Sequence, residues 1–131
     1  MNDRLHDATA NRIIGTGALL MAVGIGIGAL GAHALRGVLE PRQLESLHTA
    51  VYYQIFNALA LLLLGGWMRA GYTGLAWPSW LLAAGIVLFS GSIYVMLVGA
   101  PRPLGILTPI GGVLLIAAWL MLVWKFLKGS R

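Results

Sequence analysis

The chain contains no cysteine. Disulfides, thiolate nucleophiles and cysteine-bound zinc are therefore excluded. Carboxylates are scarce: Asp3, Asp7, Glu40 and Glu45 are the full set. Charged residues make up 10% of the chain, against about 25% in a soluble domain. None of them lies in the middle of a long apolar run. Pumps, ion-coupled carriers and voltage sensors keep ionisable groups inside the membrane, so their absence argues against active transport.

What remains is apolar. Of the 131 residues, 59% are hydrophobic, and the mean hydropathy is +0.83. A short chain buries too small a fraction of its surface to hide so much apolar area from water. The solvent must be lipid, and residues 1–131 read as one integral-membrane domain. The net charge is +5. In a soluble protein that balance would suggest nucleic-acid binding. Here the nine Arg and Lys residues punctuate apolar runs instead of forming a patch, so no nucleic-acid partner is expected.

The predicted fold is all-α, a bundle of four transmembrane helices at about 13–35, 48–68, 78–98 and 104–124. About 20 apolar residues suffice for one crossing. Ala32-His33-Ala34 resembles a signal-peptidase site, but the preceding run is longer than the roughly 7–15 residues of a signal core. Between the first two spans, Pro41 follows Glu40, and Leu44, Leu47 and Val51 share one face. This predicts a short amphipathic interfacial helix that runs or bends into the second span. Gly99-Ala-Pro-Arg-Pro103 predicts a tight turn.

Four spans put both termini on one side. That side carries Arg4, Arg12, Arg69, Lys125, Lys128 and Arg131; the other carries Arg36, Arg42 and Arg102. The positive-inside rule places the termini in the cytoplasm. Trp67, Trp77, Trp80 and Trp124 fall at the same face, as an aromatic belt does.

Lipid gives no hydrophobic drive between helices, so close backbone packing matters more. Gly17, Gly24, Gly28 and Gly31 form one stripe of the first span, with Gly24 and Gly28 in a small-xxx-small pair. The stripe serves packing within the chain or a homo-oligomer interface. Pro109, near the start of the fourth span, frees the Gly105 carbonyl and predicts a kink, or a broken helix that lines a ligand site.

The stretch from Ser46 to Gly66 starts polar and aromatic and ends apolar. At about 1.5 Å per residue, Gln54 and Asn57 lie roughly 9 and 13 Å below the outer end of their span. Ser90, Tyr94 and Thr108 lie about 12, 6 and 6 Å in from the outer ends of the third and fourth spans, Tyr53 shares a helical face with Asn57, and His33 and His48 lie at the outer ends. These eight residues form the candidate site, a polar layer in the outer half. Polar groups in hydrocarbon must find partners. The layer is thus an interhelical hydrogen-bond network, or a cavity for a membrane lipid or a lipid-like small ligand. A rival is a passive channel or carrier built by a homo-oligomer, which the apolar cytoplasmic half disfavours.

Catalysis finds little support, and no cofactor is expected. Glu45-x-x-His48, with His33 in reach, is half of a di-iron pattern that needs more carboxylates than the chain carries. Ser90 and Ser92 have no histidine or carboxylate at matched depth for acyl transfer.

Gly-Ala-Leu-Gly-Ala-His-Ala-Leu (28–35), Thr-Ala-Val-Tyr-Tyr-Gln (49–54) and Ala-Leu-Ala-Leu-Leu-Leu (58–63) are followed by Leu-Phe-Ser-Gly-Ser-Ile-Tyr (88–94) and Leu-Thr-Pro-Ile-Gly-Gly (107–112). In this order they resemble the YgdD-like family of small inner-membrane proteins, a domain of unknown function with eukaryotic transmembrane relatives. The resemblance covers roughly residues 12–125. It implies a four-helix protein of a bacterial inner membrane and supplies no activity. It points to His33, Gln54, Ser90, Tyr94, Thr108 and Pro109. It also implies a histidine where this chain has Asn57, which weakens a proton-relay or metal role there.

Overall fold

The computed structural model describes residues 1–129. The basic residue Arg131, counted above on the side of the termini, lies outside them. The chain forms α1 (Asn2–Ala32), α2 (Pro41–Arg69), α3 (Ala76–Leu97), a 3-10 helix (Arg102–Ile106) and α4 (Leu107–Leu127). The four helical stretches are each long and apolar enough to cross a membrane.

Two boundaries differ from the sequence reading. Residues 2–12 are the first turns of α1, which begins about a dozen residues before the expected span at 13–35. The helix continues because Ala10 and Ile13, both fully buried, seat it against the apolar core. At 31 residues it is about 46 Å long, well over the roughly 30 Å hydrocarbon thickness. The amphipathic segment after Pro41 is likewise not a separate interfacial helix. It forms the opening turns of α2, which runs unbroken to Arg69. The start is well specified: Pro41 occupies the first turn, and the Glu40 amide donates to Gln43 Oε1 at 2.9 Å.

Pro109 also behaves differently from expectation. The 3-10 helix runs straight into α4, and Pro109 lies in the first turn of α4. A proline there begins the helix and does not bend its interior.

The helices pair as two hairpins. α1 packs most extensively on α2 and α3 on α4, with a lesser α2–α3 seam and a minor α1–α3 contact. Glycine makes both hairpins close. The stripe predicted on α1 faces α2: a Cβ on Gly24 would meet Ile55 at 3.1 Å, and one on Gly28 would meet Val51 at 3.2 Å. The two residues proposed for a homo-oligomer are thus occupied inside the chain. In the second hairpin, a Cβ on Gly111 would run into the backbone of Leu88 and Phe89.

The interior divides by depth. Toward the end that carries the termini, Ile13, Leu61, Leu64, Met68, Leu82 and Leu122 belong to one apolar core. Toward the other end, the buried residues include Gln54, Asn57, Ser90 and Ser92.

Candidate functional site

The buried stripe of α2 includes Leu47, Ala50, Val51, Gln54, Asn57, Ala58 and Leu61. This is the helical i, i+3, i+4 repeat, so Gln54 and Asn57 are carried inward together. Gln54 is 2% exposed and connects three helices. Its Nε2 donates to the Leu20 carbonyl of α1 at 2.7 Å. Its Oε1 accepts from the Tyr94 hydroxyl of α3 at 2.6 Å.

Asn57 Nδ2 donates to the Tyr53 carbonyl one turn back at 2.7 Å. Its Oδ1 accepts from Trp119 Nε1 of α4 at 2.9 Å. Ser90, fully buried on α3, donates to the Ala50 carbonyl of α2 at 2.7 Å. The Ser92 hydroxyl gives its proton to the Phe89 carbonyl at 2.9 Å. It therefore accepts in its contact with Thr108, which leaves the Thr108 hydroxyl as the donor.

Six of the eight expected residues thus sit together: Tyr53, Gln54, Asn57, Ser90, Tyr94 and Thr108. Tyr53 joins through its carbonyl and through its ring, which lies 4.6 Å from that of Phe89. His33 and His48 do not join. α1 stops at Ala32, so His33 is its exposed cap. His48 is exposed, one residue off the buried stripe, and so rotated by about 100° from Leu47. Among the described residues no three metal-binding side chains converge.

Trp119 was missed. Its composition suggests another belt residue, yet its indole N–H reaches Asn57 in the interior. The available signal was position: Trp119 lies more than a turn deeper than the belt residue Trp124.

That bond spans a gap. Among the described residues, no Cα of α2 comes within 8 Å of one of α4. Between the two helices runs an open groove, at its middle a cavity of about 400 Å³. Its walls include Tyr53, Asn57, Phe89, Gly112, Ile116 and Trp119. Toward the termini it continues between Leu63, Trp67, Val123 and Phe126. The lining is almost wholly apolar, and it opens sideways at the depth of the spans. The size lies within the roughly 300–1,000 Å³ of small-molecule sites.

Residues 27–112 match the family described as "Protein of unknown function (DUF423)". The chain belongs to this family. It is 42% identical over 112 residues to a UPF0382 membrane protein of Staphylococcus haemolyticus, covering 86% of this chain and 92% of the relative. It is 44% identical over 114 residues to one from Staphylococcus epidermidis, covering 86% and 92%. Against the UPF0382 membrane protein YwdK of Bacillus subtilis the figures are 39% over 114 residues, 86% and 93%. No solved structure matches the chain. The chain thus belongs to a family of unknown function, DUF423, whose relatives are named as membrane proteins. The matched stretch contains every residue of the polar layer except Trp119.

Proposed function

We propose that this is a non-enzymatic protein of a bacterial inner membrane, with both termini cytoplasmic, that holds a lipid-like hydrocarbon chain in the α2–α4 groove. One observation carries the reading. Among the described residues α2 and α4 bring no Cα within 8 Å of each other, and side chains alone bridge the gap, Trp119 on Asn57 at mid-depth and the Trp67 and Phe126 rings, 5.4 Å apart, nearer the termini. A gap of this kind between membrane spans is filled by hydrocarbon, since its lining offers water almost nothing to bond.

The polar layer then has two parts. Gln54, Tyr94, Ser90, Ser92 and Thr108 bond one another or the backbone, and act as glue between helices. Asn57, Trp119 and Tyr53 border the groove and give it its polar margin. The cytoplasmic placement rests on the positive-inside count.

The test is native mass spectrometry of protein extracted in mild detergent, for the wild type and Gly112→Leu. Gly112 lines the groove, and a Cβ there meets only the Phe89 ring, at 3.7 Å. A bound hydrophobic molecule at one per chain, lost in Gly112→Leu while the melting temperature holds, supports the reading. Bare wild-type protein in several mild detergents refutes it and leaves the layer as glue alone.

A further inference from the structure

The α2–α4 groove carries one buried side chain at mid-span whose hydrogen bonding is not fully spent. Asn57 is 7% exposed. It lines the cavity of about 400 Å³ and also a cavity of about 620 Å³, which shares Tyr53, Asn57 and Trp119 with it. Asn57 Oδ1 accepts from Trp119, and Asn57 Nδ2 gives one hydrogen to the Tyr53 carbonyl. An amide nitrogen carries two. Among the described residues the second N–H meets no acceptor. What this point of the groove can receive is therefore an acceptor oxygen.

That oxygen must belong to a neutral group. At 1.5 Å per residue, Asn57 is about 18 Å along α2 from Arg69, and Trp119 is about 9 Å along α4 from Lys125. A carboxylate or phosphate beside Asn57 would be an uncompensated charge inside the membrane. A phospholipid headgroup stays at the surface and does not reach so deep.

The surrounding walls are flat. The Tyr53 and Phe89 rings lie 4.6 Å apart, and the Tyr52 and Phe56 rings are stacked at 6.2 Å. The Trp119 indole borders both cavities. An acyl chain gains nothing special from such surfaces, whereas a planar ring stacks on them. Apolar and aromatic walls with one placed polar group are the usual make-up of a small-molecule site. Toward the termini the groove continues as a smaller cavity of about 240 Å³, lined by aliphatic and aromatic side chains alone.

We propose that the ligand of this groove is a prenylated quinone. Its neutral, planar ring lies among Tyr53, Phe89 and Trp119, with one carbonyl oxygen accepting from Asn57 Nδ2. Its hydrocarbon tail runs toward Trp67 and Phe126. This rests on the reading of the groove as a hydrocarbon site and adds the head of the molecule that occupies it.

The experiment is native mass spectrometry of the full chain in mild detergent with equimolar decylubiquinone and decylbenzene. The two probes share a tail and differ in the oxygens on the ring. Wild type retains decylubiquinone in preference. Asn57→Leu still retains decylbenzene but lowers the preference by about threefold to tenfold, the worth of one hydrogen bond. Gln54→Met removes bonds to α1 and α3 only and leaves the preference unchanged. Gly112→Leu fills the groove and loses both probes. Circular dichroism of each variant separates loss of the site from loss of the fold. Equal retention of the two probes by wild type overturns the quinone proposal and leaves the groove a hydrocarbon site. Retention of neither overturns both readings. A preference that survives in folded Asn57→Leu, or one that folded Gln54→Met loses to the same degree, also overturns the quinone proposal.

Discussion

Replacing Gln54 by Met keeps the length and nearly the volume of the side chain while removing both of its hydrogen bonds. The Leu20 carbonyl suffers little, because it sits mid-helix and keeps its intrahelical bond. The Tyr94 hydroxyl loses its partner. Side-chain hydrogen bonds between membrane helices average about 0.6 kcal/mol and reach about 1.7. Two of them give an expected loss of roughly 1.2 kcal/mol, with an upper bound near 3.4. Tyr94→Phe removes one bond, for about 0.6 kcal/mol. The two side chains share that bond, so the double variant should cost less than the sum of the singles. The shortfall is about 0.6 kcal/mol. Equilibrium unfolding in mixed micelles, followed by circular dichroism, measures all four corners of the cycle. Strict additivity of the two substitutions, within about 0.3 kcal/mol, would show that Gln54 and Tyr94 do not bond.

Two further predictions concern packing and topology. Gly111→Ala forces a Cβ into the backbone of Leu88 and Phe89, and overpacking of this kind costs about 1–3 kcal/mol. Gly15→Ala meets nothing within 4 Å and should be neutral, or gain up to about 1 kcal/mol of helix propensity. Thermal unfolding in one detergent ranks the pair, and the reverse order would sink the packing argument. The lack of native cysteine makes the topology directly testable. Val38→Cys should react with an impermeant maleimide from outside the membrane, and Asn2→Cys only after permeabilisation. The opposite pattern would invert the bundle.

Much of this fold was legible because lipid leaves few options. Four apolar runs of sufficient length must be helices, and α3 and α4 appear close to where hydropathy puts them. The polar layer was legible for the same reason, since a glutamine or asparagine at that depth must find a partner inside the bundle. What composition hides is rotation about the helix axis. His48 and Leu47 have almost the same depth, yet one is exposed and the other 3% exposed. Depth alone could not separate them. Nor could it reveal Trp119, whose bond depends on which way α4 turns. The helical start of α1 was missed for another reason. Its residues are polar, and only tertiary burial of Ala10 and Ile13 makes a helix there worthwhile.

The two hairpins are held by different means, and this has a consequence for how the protein is made. Within the first hairpin the contacts are chiefly glycine against side chain and backbone. The side-chain bonds of Tyr94 to Gln54, Ser90 to Ala50 and Trp119 to Asn57 all join the second hairpin to the first. During synthesis α1 and α2 leave the ribosome first. They can close on each other completely, yet Gln54 Oε1 and Asn57 Oδ1 still lack these donors and face lipid. A nascent chain stopped after Arg69 is therefore well packed and chemically unfinished. The arrival of α3 and α4 removes a polar mark on its surface, so assembly of the second hairpin is the step that makes the molecule inert to its neighbours in the membrane.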